Sequence, residues 1–189
     1  MRISPLHWIV AVALTATSGA AIAETKPTKP ADKPGAAAPA AGTGSPMLVM
    51  ESKDWKVVTA SGGKAKVCFA MTKPTKMEPP TLNHGEVFVF VSTRPAEKVV
   101  NEPSLHFGYP LKEGSRVTVD IDGKKYDFFT RGDGAWFEKT AETGAFIEAL
   151  KKGKKMTAAG ASARGNPTSY VFSLTGVGGA LDGAAKECR

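Results

Sequence analysis

The chain has 189 residues, a formal net charge of +7 at pH 7 and only two cysteines. Residues 47–189 are long enough for one domain and too short for two ordinary ones, so we predict a single domain there. Because this part holds all nine phenylalanines and all three tyrosines, it can form a hydrophobic core without a metal or dense crosslinking.

The N-terminus has the pattern of a secretory signal peptide. One positive charge at Arg2 precedes an apolar stretch over residues 8–14, and small residues follow as far as Ala21-Ile22-Ala23. The strongly apolar part is too short for a transmembrane helix, which needs about 20 such residues. We therefore predict a signal peptide over residues 1–23, cleavage after Ala23, and export to the periplasm or the outer surface with no membrane span remaining.

Residues 24–46 have a different composition from the rest of the chain. They are mostly Ala, Pro, Lys, Gly and Thr and contain no aromatic residue, so they cannot bury enough apolar area to offset the entropy lost on ordering. We predict a disordered linker whose prolines favour an extended spacer. The alternative is a tether that carries a few lysines towards a partner.

From residue 55 onward, apolar and polar residues alternate in short runs, which is the pattern of β-strands. Asp122-Gly123 between two such runs favours a type I′ hairpin turn, and Gly62-Gly63 is a second predicted turn. Many short strands with few helices predict an all-β domain over residues 47–189, built as an antiparallel sandwich or barrel. The predicted strands lie at 55–59, 67–70, 87–91 (a central strand), 117–121, 126–129 and 170–174.

Two segments have helical spacing instead. Residues 142–152 carry three apolar side chains on one helical face, with Thr140 or Thr143 expected to cap the start and Gly153 expected to follow the end. A second short helix is predicted at 179–187.

The two cysteines are Cys68 and Cys188. In an oxidising compartment a pair without other candidates usually forms a bridge. Closing a loop of about 120 residues corresponds to roughly 5 kcal/mol in the chain-entropy model. We predict a disulfide that fixes the C-terminal end to an early strand, and two unpaired thiols are the alternative.

A series of motifs in the same order along the chain resembles the invasion-associated locus B (IalB) family. It begins at Asp54-Trp55-Lys56-Val57, ends at Cys188 and covers nearly all of residues 50–189, although residues 166–171 depart from the family's usual Thr-x-Asp-x-Tyr-Ser pattern. Between the two ends lie Val67-Cys68-Phe69-Ala70, Lys73-Pro74, Phe88-Val89-Phe90-Val91-Ser92-Thr93-Arg94-Pro95, Glu97-Lys98-Val99-Val100-Asn101-Glu102, Gly108-Tyr109-Pro110-Leu111-Lys112, Phe128-Phe129-Thr130, Gly132-Asp133, Ala135-Trp136, Met156, Ser162, Arg164-Gly165, Tyr170-Val171-Phe172-Ser173-Leu174 and Ala180-Leu181.

The resemblance implies an exported, virulence-associated envelope protein with an immunoglobulin-like antiparallel β-sandwich and one or two short helices. It brings no catalytic residue with it. The family name is a weak guide to function, because many relatives occur in bacteria that invade no host.

The sequence contains no recognisable catalytic, cofactor or metal-binding motif. His84 lies in a turn-like run and is expected to be a solvated loop histidine, and His106 is expected at an edge or half-buried position; neither has metal-ligand spacing. Gly176-Val177-Gly178-Gly179 lacks the third glycine of a dinucleotide-binding loop and predicts only a strand-to-helix turn.

We therefore predict a non-enzymatic protein without cofactor or metal, which binds an envelope or host protein through loops or an exposed edge. The alternative is an envelope hydrolase whose site is assembled from Asp120, Asp127 and Asp133, since paired carboxylates need no fixed spacing.

Two features are candidate interaction sites. Lys151, Lys152, Lys154 and Lys155 form a basic cluster that suits an anionic envelope polymer. Nucleic acid is excluded as the partner because no aromatic residues interleave with these lysines. The alternative is an ordinary solvated helix end.

Arg131-Gly132-Asp133 is the second candidate, because integrins bind this tripeptide on adhesion ligands. Three-residue motifs arise easily by chance. The preferred interpretation is a hairpin turn in which Gly132 takes a positive φ and Asp133 bonds to nearby backbone amides.

Overall fold

The structure is a computed structural model that describes residues 45–62 and 65–189. The predicted signal peptide, the predicted linker up to residue 44 and Gly63 of the predicted Gly62-Gly63 turn lie outside the described residues. No helix in the described ranges is long and apolar enough to cross a membrane.

The described part of the chain forms eleven β-strands that belong to one sheet. They are β1 Met47–Ser52, β2 Trp55–Gly62, β3 Ala65–Thr72, β4 Lys76–Glu78, β5 Phe88–Arg94, β6 Val99–His106, β7 Arg116–Ile121, β8 Lys124–Arg131, β9 Gly134–Phe137, β10 Lys155–Ala161 and β11 Pro167–Ser173. Their order across the sheet is β1-β2-β3-β5-β6-β9-β8-β7-β10-β11-β4, and neighbouring strands are antiparallel. The edge strands are therefore β1 and β4.

Inward-facing side chains from both halves of the sheet meet in one hydrophobic core. Val57 of β2 and Val91 of β5 belong to it together with Val119 of β7 and Phe172 of β11. Because strands from both ends of the sheet supply this core, the sheet folds over on itself. The predicted antiparallel β-sandwich with two short helices is confirmed.

The period-two pattern located six strands correctly, since the predicted runs coincide with or overlap β2, β3, β5, β7, β8 and β11. The hairpin between β7 and β8 has the predicted turn, because Asp122 and Gly123 both have positive φ, at 49° and 92°. Strand β5 lies between β3 and β6 and is therefore central, as predicted. The pattern missed β1, β4, β6, β9 and β10.

The two helices are α1 Thr143–Lys152 and α2 Val177–Glu187. The predicted capping of α1 by Thr140 or Thr143 is wrong. A 3₁₀ turn over Thr140–Glu142 leads directly into α1, so Glu142 occupies the capping position and makes no side-chain capping hydrogen bond. Helix α2 begins two residues earlier than predicted.

Gly153 follows α1 as predicted, and its N–H donates to the Ala149 carbonyl at 2.8 Å. Its φ of −74° is not left-handed. The position needs glycine because a Cβ there would lie 2.7 Å from Ile121 Cγ2 and 2.8 Å from Leu174 Cδ1.

The C-terminal helix is tied to the sheet by the predicted disulfide, which is confirmed. Cys68 of β3 and Cys188, directly after α2, are bonded with their Cα atoms 6.0 Å apart. Helix α2 packs against β2 and β3, and Cys68 is fully buried. The bridge thus fixes α2 over the inner face of the first strands.

Candidate functional site

A buried polar network joins the loop before β5 to strand β11. His84 Nδ1 lies 2.8 Å from the Tyr170 hydroxyl oxygen, and His84 Nε2 lies 2.9 Å from the Pro79 carbonyl oxygen. The Tyr109 hydroxyl lies 2.7 Å from both the Tyr170 hydroxyl and Thr168 Oγ1. His84 is only 6% exposed, so the prediction of a solvated loop histidine is wrong.

The Pro79 carbonyl fixes the position of one proton on the His84 ring. A carbonyl oxygen only accepts, so His84 Nε2 carries a proton and donates it to Pro79. In the tautomer with that single proton, Nδ1 accepts from the Tyr170 hydroxyl. The Tyr109 hydroxyl contacts both the Tyr170 hydroxyl and Thr168 Oγ1, and Thr168 Oγ1 donates to the Gly160 carbonyl at 3.4 Å. Burial, followed by the hydrogen bond between Tyr170 and Tyr109, raises the pKa of Tyr170 above its ordinary value.

A close backbone contact holds the loop that carries His84. A Cβ at Gly108 would lie 2.5 Å from both the Gly85 Cα and the His84 carbonyl oxygen, and Gly85 itself has a φ of 60°. The Gly85 N–H also donates to Asn83 Oδ1 at 3.0 Å. Two glycines in contact therefore let the loop approach closely enough for the imidazole to reach Tyr170.

An open groove of about 570 Å³ lies beside His84. It is lined by Met77, Pro80, Leu82, Asn83, His84, Gly85 and Glu86. Both nitrogens of His84 are already bonded inside the protein, and the Glu86 carboxylate is paired with Lys73 at 2.6 Å. The network therefore acts as a clamp between loop and sheet, with no free acid or base directed into the groove.

The three carboxylates of the alternative hydrolase do not form one site. Asp120 on β7 and Asp127 on β8 stand on the solvent-facing side of neighbouring strands. The Asp120 carboxylate accepts the Gly123 N–H at 2.9 Å, and Asp133 lies beyond the opposite end of β8. No group of three or more His, Cys, Asp and Glu side chains within the described residues is placed to hold a metal ion.

The predicted basic cluster surrounds the end of α1. Its members are Lys151, Lys152, Lys154 and Lys155, all exposed. Carboxylates already lie near two of them, since the Lys151 Nζ is 3.9 Å from Asp182 and the Lys152 Nζ is 3.5 Å from Glu148. These pairs reduce the positive charge that the cluster offers to an anionic polymer.

The tertiary structure enlarges this basic surface in a way that the sequence analysis missed. Asp122 Oδ2 accepts the backbone N–H of Lys154 at 3.0 Å, which brings the β7–β8 turn beside the cluster. Lys124 and Lys125 follow that turn and are exposed. In the sequence, the larger basic surface was indicated by the two lysines that directly follow the predicted Asp122-Gly123 turn.

Arg131, Gly132 and Asp133 lie where β8 turns into β9, and Gly132 has the predicted positive φ, at 58°. The Asp133 carboxylate does not bond to a backbone amide of the described residues. It lies 3.7 Å from His106 Nδ1 instead, and the Asp133 carbonyl accepts the Phe107 N–H at 2.9 Å. The turn is confirmed, the predicted bonding of Asp133 is wrong, and His106 is half-buried in β6 as expected.

Edge strand β1 exposes apolar side chains on both of its faces. Met47, Leu48, Val49 and Met50 are 65%, 52%, 38% and 39% exposed. One backbone edge of β1 is bonded to β2, and the other has no strand beside it in residues 45–62 and 65–189. Natural proteins usually cover an exposed apolar edge strand of this kind with another element or place charged side chains on it. The predicted domain begins at residue 47, but the alternation of apolar and polar residues did not predict this strand.

The sequence model of the invasion associated locus B (IalB) protein family matches residues 55–185. The chain belongs to the IalB family. The resemblance drawn from its motifs is thereby confirmed, and β1 lies just before the part of the IalB domain that the family model matches.

The fold is also found in the crystal structure of the invasion associated protein B from Bartonella henselae. The two chains are 19% identical and superpose with a TM-score of 0.53 over 75% of this chain and 97% of that chain. At this identity the likeness shows a common fold. A comparison with curated protein sequences gives no match.

Proposed function

We propose that this IalB family member is an exported, non-enzymatic envelope protein that binds a protein partner through edge strand β1. The supporting observation is the run of four exposed apolar side chains beside a backbone edge that pairs with no other strand among the described residues. A partner that supplies a strand gains main-chain hydrogen bonds along such an edge and packs its side chains on both faces.

The arrangement of polar groups supports a binding role rather than catalysis. The His84 imidazole is bonded through both nitrogens. Asp120 and Asp127 stand on an open strand face, and Asp133 lies away from them near His106. Catalysis needs an acid or base within reach of a bound substrate, and these groups do not line a common pocket.

Export is tested by intact-mass analysis of the envelope fraction. The expected mature protein begins at Glu24, because the leader has all three parts of a signal peptide. A species that retains Met1 in the inner membrane would contradict export.

The binding role is tested by placing a photo-crosslinking amino acid at Leu48 of β1 and, as a control, at Lys76 of the other edge strand β4. In intact cells, we expect crosslinked protein from position 48 and none from position 76. Equal labelling at both edges, or none at position 48, would contradict the use of β1 as a binding strand.

A further inference from the structure

We infer that the strand which binds β1 is the β1 of a second copy, so that two chains form a two-fold symmetric dimer with one continuous sheet. The inference rests on the proposed use of β1 and identifies the partner at that edge.

The two faces of β1 decide what kind of strand can cover it. Met47 is in register with Thr59 of β2, and Met50 is in register with Val57. The side chains of Thr59 and Val57 point to the interior. Leu48 is in register with Val58, whose side chain points outward. Apolar surface is therefore offered on both faces of the sheet. A fitting strand must be apolar on both of its own faces, because a charge on either face would be buried without a partner.

On the outer side of the sheet, β1 adjoins a small buried apolar cluster. Beyond Leu48 and Val58 lies a small cluster formed by Ala60, Val67 and Phe69, packed against the half-buried Val58 and Phe90. A strand added at β1 would extend this cluster by one more row.

Strand β1 is itself apolar on both faces, and its sequence complements itself. When two copies of Met47-Leu48-Val49-Met50 run antiparallel about a two-fold axis between residues 48 and 49, each methionine faces a methionine and each Leu48 faces a Val49. Paired residues of antiparallel strands share a face of the sheet, so the inward methionines meet on the inside. Glu51 then faces Pro46 of the second copy, and no like charges are brought together.

Val49 has a defined role in this arrangement. The register with β2 shifts between Leu48 and Met50, so Val49 is a bulged residue without a partner on β2. Bulges often protect free edges, but here the bulged residue is valine and 38% exposed. In the dimer its side chain is covered by Leu48 of the second copy.

The opposite edge strand, β4, has one side without a partner strand in the part of the chain that the structure describes, and it is protected differently. Strand β4 has three residues, and Lys76 and Glu78 on it form an ion pair at 2.8 Å. Short length and charge are the usual protections of an edge. Strand β1 has six residues and four of them are consecutive, uncharged and apolar.

The test compares two substitutions of equal exposure on the two edges. Val49→Lys changes a residue that is 38% exposed on β1, and Met77→Lys changes one that is 39% exposed on β4. Sedimentation equilibrium of the mature protein should show a dimer for the wild type and Met77→Lys. For Val49→Lys we expect the dissociation constant to rise by about 100-fold, because two lysines meet near the two-fold axis. Melting temperatures close to wild type for both variants establish that the fold is retained.

Crosslinking from position 48 separates this inference from the proposed function. In a mixture of ¹⁴N- and ¹⁵N-labelled chains, a link between the two labels supports the dimer. A monomeric wild type whose crosslink in intact cells reaches a different protein would overturn the dimer and leave binding at β1 in place. A monomer without any crosslink at position 48 would overturn both.

Discussion

The polar network behind β11 predicts a large effect from removing a single oxygen atom. Tyr170→Phe deletes a fully buried hydroxyl that bonds to His84 Nδ1 at 2.8 Å and to the Tyr109 hydroxyl at 2.7 Å. Tyr109 retains Thr168 as a partner, but His84 Nδ1 is left as a buried acceptor without a donor. Two lost bonds at about 1 kcal/mol each, with about 1–3 kcal/mol for the orphaned nitrogen, give an expected loss of about 3–5 kcal/mol in unfolding free energy.

Tyr126→Phe is the matched control. Tyr126 on β8 is 5% exposed, and its buried hydroxyl has no hydrogen-bond partner among the described residues. Removing that hydroxyl breaks no bond and relieves an unpaired polar group, so we expect a change within about 0.5 kcal/mol or a small stabilisation.

Urea unfolding followed by circular dichroism measures both variants. Equal slopes of unfolding free energy against urea concentration would show that the midpoints report stability. Similar losses for Tyr170→Phe and Tyr126→Phe would refute the reasoning, because the two changes are chemically identical and differ only in hydrogen bonding. An ¹⁵N spectrum of the imidazole should show a proton on Nε2 of His84, the atom that faces the Pro79 carbonyl.

Three further predictions concern other parts of the domain. Gly108→Ala should destabilise the fold by about 2 kcal/mol or more, because the new Cβ would collide with the loop that contains Gly85. Gly144→Ala, in open space on α1, should instead stabilise the fold by up to about 1 kcal/mol. Thermal unfolding of the two variants distinguishes these effects. Thiol alkylation of the denatured, unreduced protein should label neither cysteine, and replacing both Cys68 and Cys188 by alanine should lower the unfolding free energy by about 2–5 kcal/mol. Host-cell adhesion to immobilised protein should be the same for wild type and Asp133→Glu, since the turn is fixed by backbone bonds; a loss confined to the variant would favour integrin recognition.

Local patterns in the sequence were sufficient for much of the fold. Alternating residues marked β2 and β7, Asp122-Gly123 marked a hairpin turn, and three apolar residues at helical spacing marked α1. Each of these features depends on neighbours within a few residues, which single-sequence patterns report. The two cysteines fixed their own pairing because the chain has no other thiol.

Strands without alternation were not visible in the sequence. Strand β6 contains Pro103 and a polar Asn101-Glu102 pair, and β10 contains Gly160 among small residues, yet both are paired on each side. Their place in the sheet is set by hydrogen bonds to partners far along the chain. Strand propensity depends on such packing more than on the residues themselves.

The burial of His84 and the exposure of β1 were decided by tertiary structure alone. Leu82-Asn83-His84-Gly85 has the composition of a solvated turn, but Tyr170, 86 positions away, bonds to the imidazole, and Gly108 lies against the backbone of the loop. Met47-Leu48-Val49-Met50 has the composition of a buried strand, but its place at the end of the strand order leaves it exposed. The sequence by itself determined which residues prefer strands, turns and helices; the folded sheet decided which of them meet water, because burial is set by neighbours that only the completed topology brings together.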